Sequence, residues 1–344
     1  MGKRLFQAVL SAMILFCATG YYFLLVSQAP RRVLDVIQYG KGPEILIQVK
    51  SGKNASQIAE DFSQAGIVDH AEALAVWFSR FGIDRTIRPG TYAIRKGSPW
   101  EVAKQMQRAK PETDLVTLLP GMTWHDILET YSVTSGELKA LLAENSNFPK
   151  ETHPFLPEKA LDRLAFLLPE TYQVAPGDQR LNQLIRSASS AWWKQIGRNI
   201  VDAVDTGDVE KAEAIWRAAT VASLVEKESA AEEERPVIAG VIENRLRKGM
   251  PLQIDATVVY AWRLRGENLT RVLHRHLEVD SPYNTYKIKG LPPGPICVPS
   301  KESWEAALKP EETPFLFYVA GDDGKHRFSR TYKEHLKKIR EIRK

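Results

Sequence analysis

Acidic side chains crowd the stretch VASLVEKESAAEEERPVIAGVIENRLRKGMPLQID, residues 221 to 255. At about 100° per residue, Ile215, Ala219, Ala222, Val225, Glu226 and Ser229 fall on one side of a helix, so Glu226 emerges from a face of small and apolar residues. A carboxyl on such a face is a candidate general acid, the group that protonates the leaving oxygen when a glycosidic bond breaks. The competing reading is structural, with Glu226 paired to a buried cation such as Arg245 or held in the neighbourhood of Lys227. Glu228, Glu232, Glu233 and Glu234 read as a charged helix end, where acids favour the N-terminus of the helix that Pro236 opens.

Other chemistries find no support. There is no Gly-Lys-Ser/Thr phosphate loop and no G-x-S-x-G elbow, and His274 and His276 lack a matching third ligand, so neither a metal nor a cofactor is expected. The two cysteines, Cys17 and Cys297, fall in an apolar segment and a Pro-rich loop, which excludes a disulfide framework.

The elements that must position the acid begin beyond an uncharged run from Leu5 to Val26, long enough for a membrane helix of roughly 20 residues. The aromatics Tyr21 to Phe23 favour an anchor over a cleaved signal. The expected order is a short N-terminus at 1–4, a transmembrane helix at 5–26, a linker at 27–42, a small module at 43–110 and a catalytic domain at 111–344.

Within the module, EILIQV has strand character and SGKNASQIAEDFSQAGI gives a turn and an amphipathic helix. The same strand, Gly turn and helix recur in VTLLPGMTWHDILETYSV, where Gly121, Ile127 and Glu129 match Gly52, Ile58 and Glu60, and in IRKGSPWEVAKQM, where Gly97 and Trp100 match Gly121 and Trp124. Such units resemble LysM-type carbohydrate-binding modules; the bland alternative is a small α+β folding unit. The second region is expected to be mostly helical from Pro111 to Lys248, then loop-rich through SPYNTYKIKGLPPGPICVPS. A hairpin, FLFYVA–GDDG–KHRFS, and a last helix complete it. The mixture reads as α+β.

A resemblance rests on LVEKES, VIENRLRKGMPLQID, SPYNTYKIKGLPPGPI and FLFYVAGDDGKHRFSRTYKEH in this order, with LLPETY at Leu167 to Tyr172 upstream. These motifs resemble the endolytic murein transglycosylase family (MltG, YceG-like), over nearly all of the chain. The resemblance implies non-hydrolytic cleavage of the MurNAc–GlcNAc β-1,4 bond inside nascent peptidoglycan strands, leaving 1,6-anhydro-MurNAc ends and terminating strand elongation. It carries the catalytic role to Glu226, the first acid of V-E-K-E. Glu170 and Asp255 are candidate second carboxylates. With Gln253, Asn284 and Tyr286, which supply hydrogen-bonding and stacking groups, they make up the expected substrate-binding set. Departures fall at Leu164 and Ala165, where Glu-Gly is expected, and at Cys297, Val298, Pro299 and Ser300, where Asn-Pro-Gly is expected.

The expected setting is therefore a single-pass inner-membrane protein with its catalytic domain in the periplasm, acting on glycan strands, with peptidoglycan synthases as candidate partners. Nucleic acid is not an expected partner: the net charge of +5 is scattered, and its densest run, KEHLKKIREIRK, reads as a solvated helix face. Two rival functions remain, a membrane-anchored glycan-binding scaffold for cell-wall assembly and a muramidase that hydrolyses the same bond.

Overall fold

Strand propensity and capping chemistry set the first elements of the chain. The computed structural model describes residues 39–342 apart from Ser51, Asp178 and 204–207. The expected membrane helix at 5–26 lies outside the described residues; among those described, no helix is long and apolar enough to cross a membrane. The chain divides into two units, Met1–Glu112 and Thr113–Lys344, against an expected boundary at residue 110.

In the first unit β1 (Lys41–Val49) pairs antiparallel with β2 (Gly90–Lys96), in register from Glu44↔Arg95 to Val49↔Gly90. Between the strands run α1 (Ala55–Gln64), α2 (Ala71–Arg80) and the short α3 (Ile83–Thr86), and α4 (Pro99–Arg108) follows β2. Ile47, Ile58, Phe62, Leu74, Phe78, Ile94 and Val102 form its own core.

The recurring sequence unit has a physical basis in helix capping. Asn54 with Gln57 and Ser98 with Glu101 each close a reciprocal capping box just after a Gly turn. The third copy, Thr123 with Asp126, belongs to the second unit. There it links β3 (Asp114–Thr117) to α5 (Trp124–Tyr131), and β3 pairs with β4 (Thr171–Val174).

The second unit continues with α6 (Ser135–Ala143), short 3-10 turns between residues 145 and 166, α7 (Arg180–Trp192), a π turn over Trp193–Gly197 and α8 (Arg198–Ala203). The expected mostly helical stretch is thus broken by two short strands and these turns. The 21-residue α9 (Asp208–Glu228) runs through the middle of the core. Val221, Ala222, Ser223, Leu224 and Val225 are all buried, so its C-terminal part is enclosed on every side rather than presenting one apolar face. That enclosure aims successive acids at different neighbours.

Around α9 lie α10 (Arg235–Arg247), α11 (Asp255–Arg263) and α12 (Lys301–Leu308). The segment before the hairpin is fastened along α10: Glu311 N donates to Pro236 O at 3.0 Å, and Asn244 Nδ2 donates to Thr313 O at 2.6 Å and Phe315 O at 3.0 Å. Gly240 permits this approach, since a Cβ there would stand 2.2 Å from the Glu311 carbonyl oxygen. The hairpin then forms as the turn residues indicate, β5 (Phe317–Ala320) against β6 (His326–Ser329), and α13 (Tyr332–Ile342) closes the described chain. The architecture is α+β.

Candidate active site

Glu226 sits two residues before the C-terminal end of α9 with its side chain only 7% exposed. Its Oε2 accepts from Ser300 N at 2.8 Å, Ser300 Oγ at 2.5 Å and Ser303 Oγ at 2.7 Å. Arg235 stands 3.8 Å from Oε1. Ser300 is the N-cap of α12, so the carboxylate lies at a helix N-terminus, where negative charge is favoured. Polar donors therefore meet the carboxyl where the helix face itself offers only small and apolar residues. Through them Glu226 staples α9 to α12.

Of the positions at which the sequence departs from the expected pattern, Ser300 belongs to this staple. Ser300 supplies two of its three donors, Val298 N donates to Met122 O at 2.9 Å, and the buried Ala165 offers its carbonyl to Trp304 Nε1 of α12 at 3.2 Å. Arg245, the cation suggested for Glu226, instead gives its side-chain donors to Leu316 O at 2.7 Å, Leu252 O at 2.7 Å and Pro251 O at 3.3 Å.

Two residues on, about 200° round the helix axis, Glu228 ends α9 and meets a different environment. Tyr318 of β5 donates its hydroxyl to Glu228 Oε2 at 2.7 Å. Burial pushes the Glu228 carboxyl up from its ordinary range. The nearby charge of Asp255 adds to this, while the Tyr318 hydrogen bond, His326 and Arg245 oppose it. Asp255 is exposed at the start of α11 and accepts the Tyr286 hydroxyl at 2.5 Å. Burial raises the Tyr286 phenol, and its bond to Asp255 raises it further. Arg245, depressed mainly by burial, interacts electrostatically with Tyr318, Tyr286 and Glu228.

The remaining candidates separate by role. Gln253 is exposed next to this group, and its backbone takes a left-handed φ of 51° with its N–H donating to Thr285 O at 3.1 Å. Asn284 is fully buried. Its Nδ2 donates to Leu277 O and Val279 O, both at 2.8 Å, and its Oδ1 accepts Tyr286 N at 3.1 Å, so its amide shapes the loop that carries Tyr286. Asn284, expected among the sugar-binding groups, here holds the loop that carries Tyr286. Glu170 is exposed and accepts from Gln195 Nε2 at 2.9 Å; among the described residues it has no interaction with Glu226 or Glu228.

Asp255 and Tyr286 thus gather around Glu228 and not around Glu226. The sequence did carry a trace of this: a helix with small or apolar residues at five consecutive positions before its acids is enclosed all round, so both acids needed weighing. Tyr318 had no local signal, because 90 residues separate it from its partner.

The model of the YceG-like family matches residues 47–341, most of both units. The chain belongs to the YceG-like family. An endolytic murein transglycosylase of Bacillus subtilis is 29% identical over 322 residues, covering 89% of this chain and 87% of the relative. One from Streptococcus pneumoniae is 27% identical over 365 aligned residues, 98% of this chain and 63% of the relative. The crystal structure of a yceG-like protein from Listeria monocytogenes superimposes with a TM-score of 0.52 at 26% identity, covering 86% of this chain and 99% of that one. In this YceG-like chain, no three His, Cys, Asp or Glu side chains gather as metal ligands among the described residues.

Proposed function

We propose that this chain is an endolytic murein transglycosylase with Glu228 as its acid and base. The observation that carries the reading is the Glu228 carboxyl, raised by burial, held at one oxygen by Tyr318 and flanked by the exposed Asp255 that Tyr286 binds. Relatives named for that activity support the substrate class. Oε1 of Glu228 gives its proton to the glycosidic oxygen as the bond to the muramic anomeric carbon breaks, releasing the 4-hydroxyl of the GlcNAc. The carboxylate so formed takes the proton of the muramic 6-hydroxyl, whose oxygen closes on the same carbon as a 1,6-anhydro ring. No water is consumed. Asp255 stays close enough to favour the protonated acid at the start and to offset positive charge developing on the sugar ring.

The same pair of carboxylates also favours a second reading, hydrolysis of that bond by an activated water. Mass analysis of the new ends separates the two, since anhydro ends weigh one water less than reducing ends.

In this reading the first unit is a LysM-like module that grips glycan, the segment at 5–26 anchors the protein in the inner membrane with its catalytic unit in the periplasm, and the cut terminates strand growth beside the synthases. Its central test pairs Glu228→Gln with Glu226→Gln on isolated glycan strands. Glu228→Gln should lose about 10²-fold or more of cleavage with its melting transition kept. Glu226→Gln should melt earlier, by about 1–3 kcal/mol of stability, because three donors and a guanidinium lose an ionic partner. It should still cut within about tenfold of the parent, a margin far short of losing the acid. Full activity in Glu228→Gln, or complete loss in Glu226→Gln with an unchanged melt, would overturn the assignment of the acid.

A further inference from the structure

Glu228 is the last residue of α9, and the helix does not by itself fix its side chain. The stretch that follows is held by the β5–β6 hairpin at three points. Tyr318 donates to Glu228 Oε2 at 2.7 Å, Lys325 Nζ lies 3.1 Å from Glu233 Oε1, and His326 meets Glu234 twice. In that double contact the His326 backbone N donates to Oε1 and its Nδ1 lies 2.7 Å from Oε2. The His326 and Glu234 side chains are 8% and 9% exposed, whereas Lys325 and Glu233 face solvent and hold little. The His326 ring stands edge-on to the Tyr318 ring at 5.2 Å, and the Phe328 ring lies 6.1 Å from that of Tyr318 and 6.2 Å from that of His326. The buried pair therefore packs against the ring that carries the Tyr318 hydroxyl.

We propose that the β5–β6 hairpin is a positioning element for the acid: Tyr318 occupies Oε2 of Glu228 so that Oε1 is the oxygen that exchanges the proton, and the Glu234–His326 pair keeps Tyr318 there. The inference rests on the reading of Glu228 as the acid. The proton leaves Oε1 for the glycosidic oxygen and returns to Oε1 from the 6-hydroxyl, while the Tyr318 hydroxyl stays on Oε2 throughout. Its donation strengthens as the carboxylate charge develops, so it contributes more to the transition state than to the bound substrate. Without it the carboxyl rotates and the productive geometry is populated less often. The charged and titratable groups facing Glu228 are Tyr318 and His326 from the hairpin, Asp255 from α11, Tyr286 from the loop beside it and Arg245 from α10.

The test compares Tyr318→Phe, His326→Gln and the double variant with Glu228→Gln, in the full chain, measuring melting, kcat, KM for glycan strands and the pH profile. Tyr318→Phe should lower kcat about tenfold, the scale of a hydrogen bond to a charged group, with KM nearly unchanged. Its alkaline limb should move to higher pH, since the lost donor favoured the ionised acid. His326→Gln should lower kcat in the same direction, and the double variant should be little worse than Tyr318→Phe alone. A kcat and alkaline limb like the parent's in Tyr318→Phe, whatever its melt, overturn the inference; fully multiplying losses overturn the part given to His326. If Glu228→Gln is dead while Tyr318→Phe is normal, only this inference fails. If Glu228→Gln is active, the underlying reading of the acid fails instead.

Discussion

Glu226 and Glu228 are separated by one lysine and yet meet opposite surroundings. One holds three serine donors on a single oxygen at the start of α12; the other is half-buried beside a second carboxylate with a phenol on one oxygen. A working acid must hold its proton until the substrate arrives and must have an oxygen to give it from; burial of the Glu228 carboxyl favours the first, and the Tyr318 hydroxyl on Oε2 leaves Oε1 for the second. Asp255 contributes to the first by disfavouring a second negative charge nearby. Replacing Asp255 by Asn removes that contribution, so the Glu228 proton is lost at lower pH and the alkaline limb of activity should move toward acid. The shift is opposite in sign to that expected for Tyr318→Phe, and pH–rate profiles of the two variants side by side check both.

Placement of these side chains depends on how α10 receives the extended segment at 311–316. That segment lies against Gly240, is tied down by Asn244 and Arg245, and feeds straight into β5 and Tyr318. Gly240→Ala puts a methyl group 2.2 Å from a backbone oxygen that cannot swing aside. Overpacking of this kind should cost about 1–3 kcal/mol in stability. Because the displaced segment carries the hairpin, cleavage should fall further than the melting shift alone explains. Chemical denaturation and strand-cleavage rates on the same variant measure the two effects. Activity unchanged at permissive temperature would mean that the hairpin is fastened by other contacts.

At the scale of the whole molecule, the two units have separate cores, and every candidate catalytic side chain lies in the second. The first unit, two strands with three helices between them and a fourth after the second strand, would raise local substrate concentration and bias where along a strand the bond is cut, if it grips sugars. A chain lacking residues 43–110 should therefore leave the same ends, bind strands less tightly and give a broader spread of product lengths. Product-length distributions and affinities identical to those of the intact protein would reduce the unit to a spacer.

The sequence by itself determined what local chemistry dictates. Gly turns followed by Asn54–Gln57, Ser98–Glu101 and Thr123–Asp126 set three strand-to-helix transitions, the GDDG turn between alternating strands set the hairpin, and the ordered motifs from LVEKES to KHRFS carried the family. Only the tertiary structure decided which acid faces the candidate substrate groups. Helical periodicity orders side chains around an axis but does not reveal what packs on each side, and both acids leave a helix enclosed on all sides. Their partners arrive from far along the chain, 74 and 77 residues away for Ser300 and Ser303 and 90 for Tyr318. A hydrogen bond across such a separation forms because the fold brings its ends together, and no spacing within residues 221 to 255 encodes it.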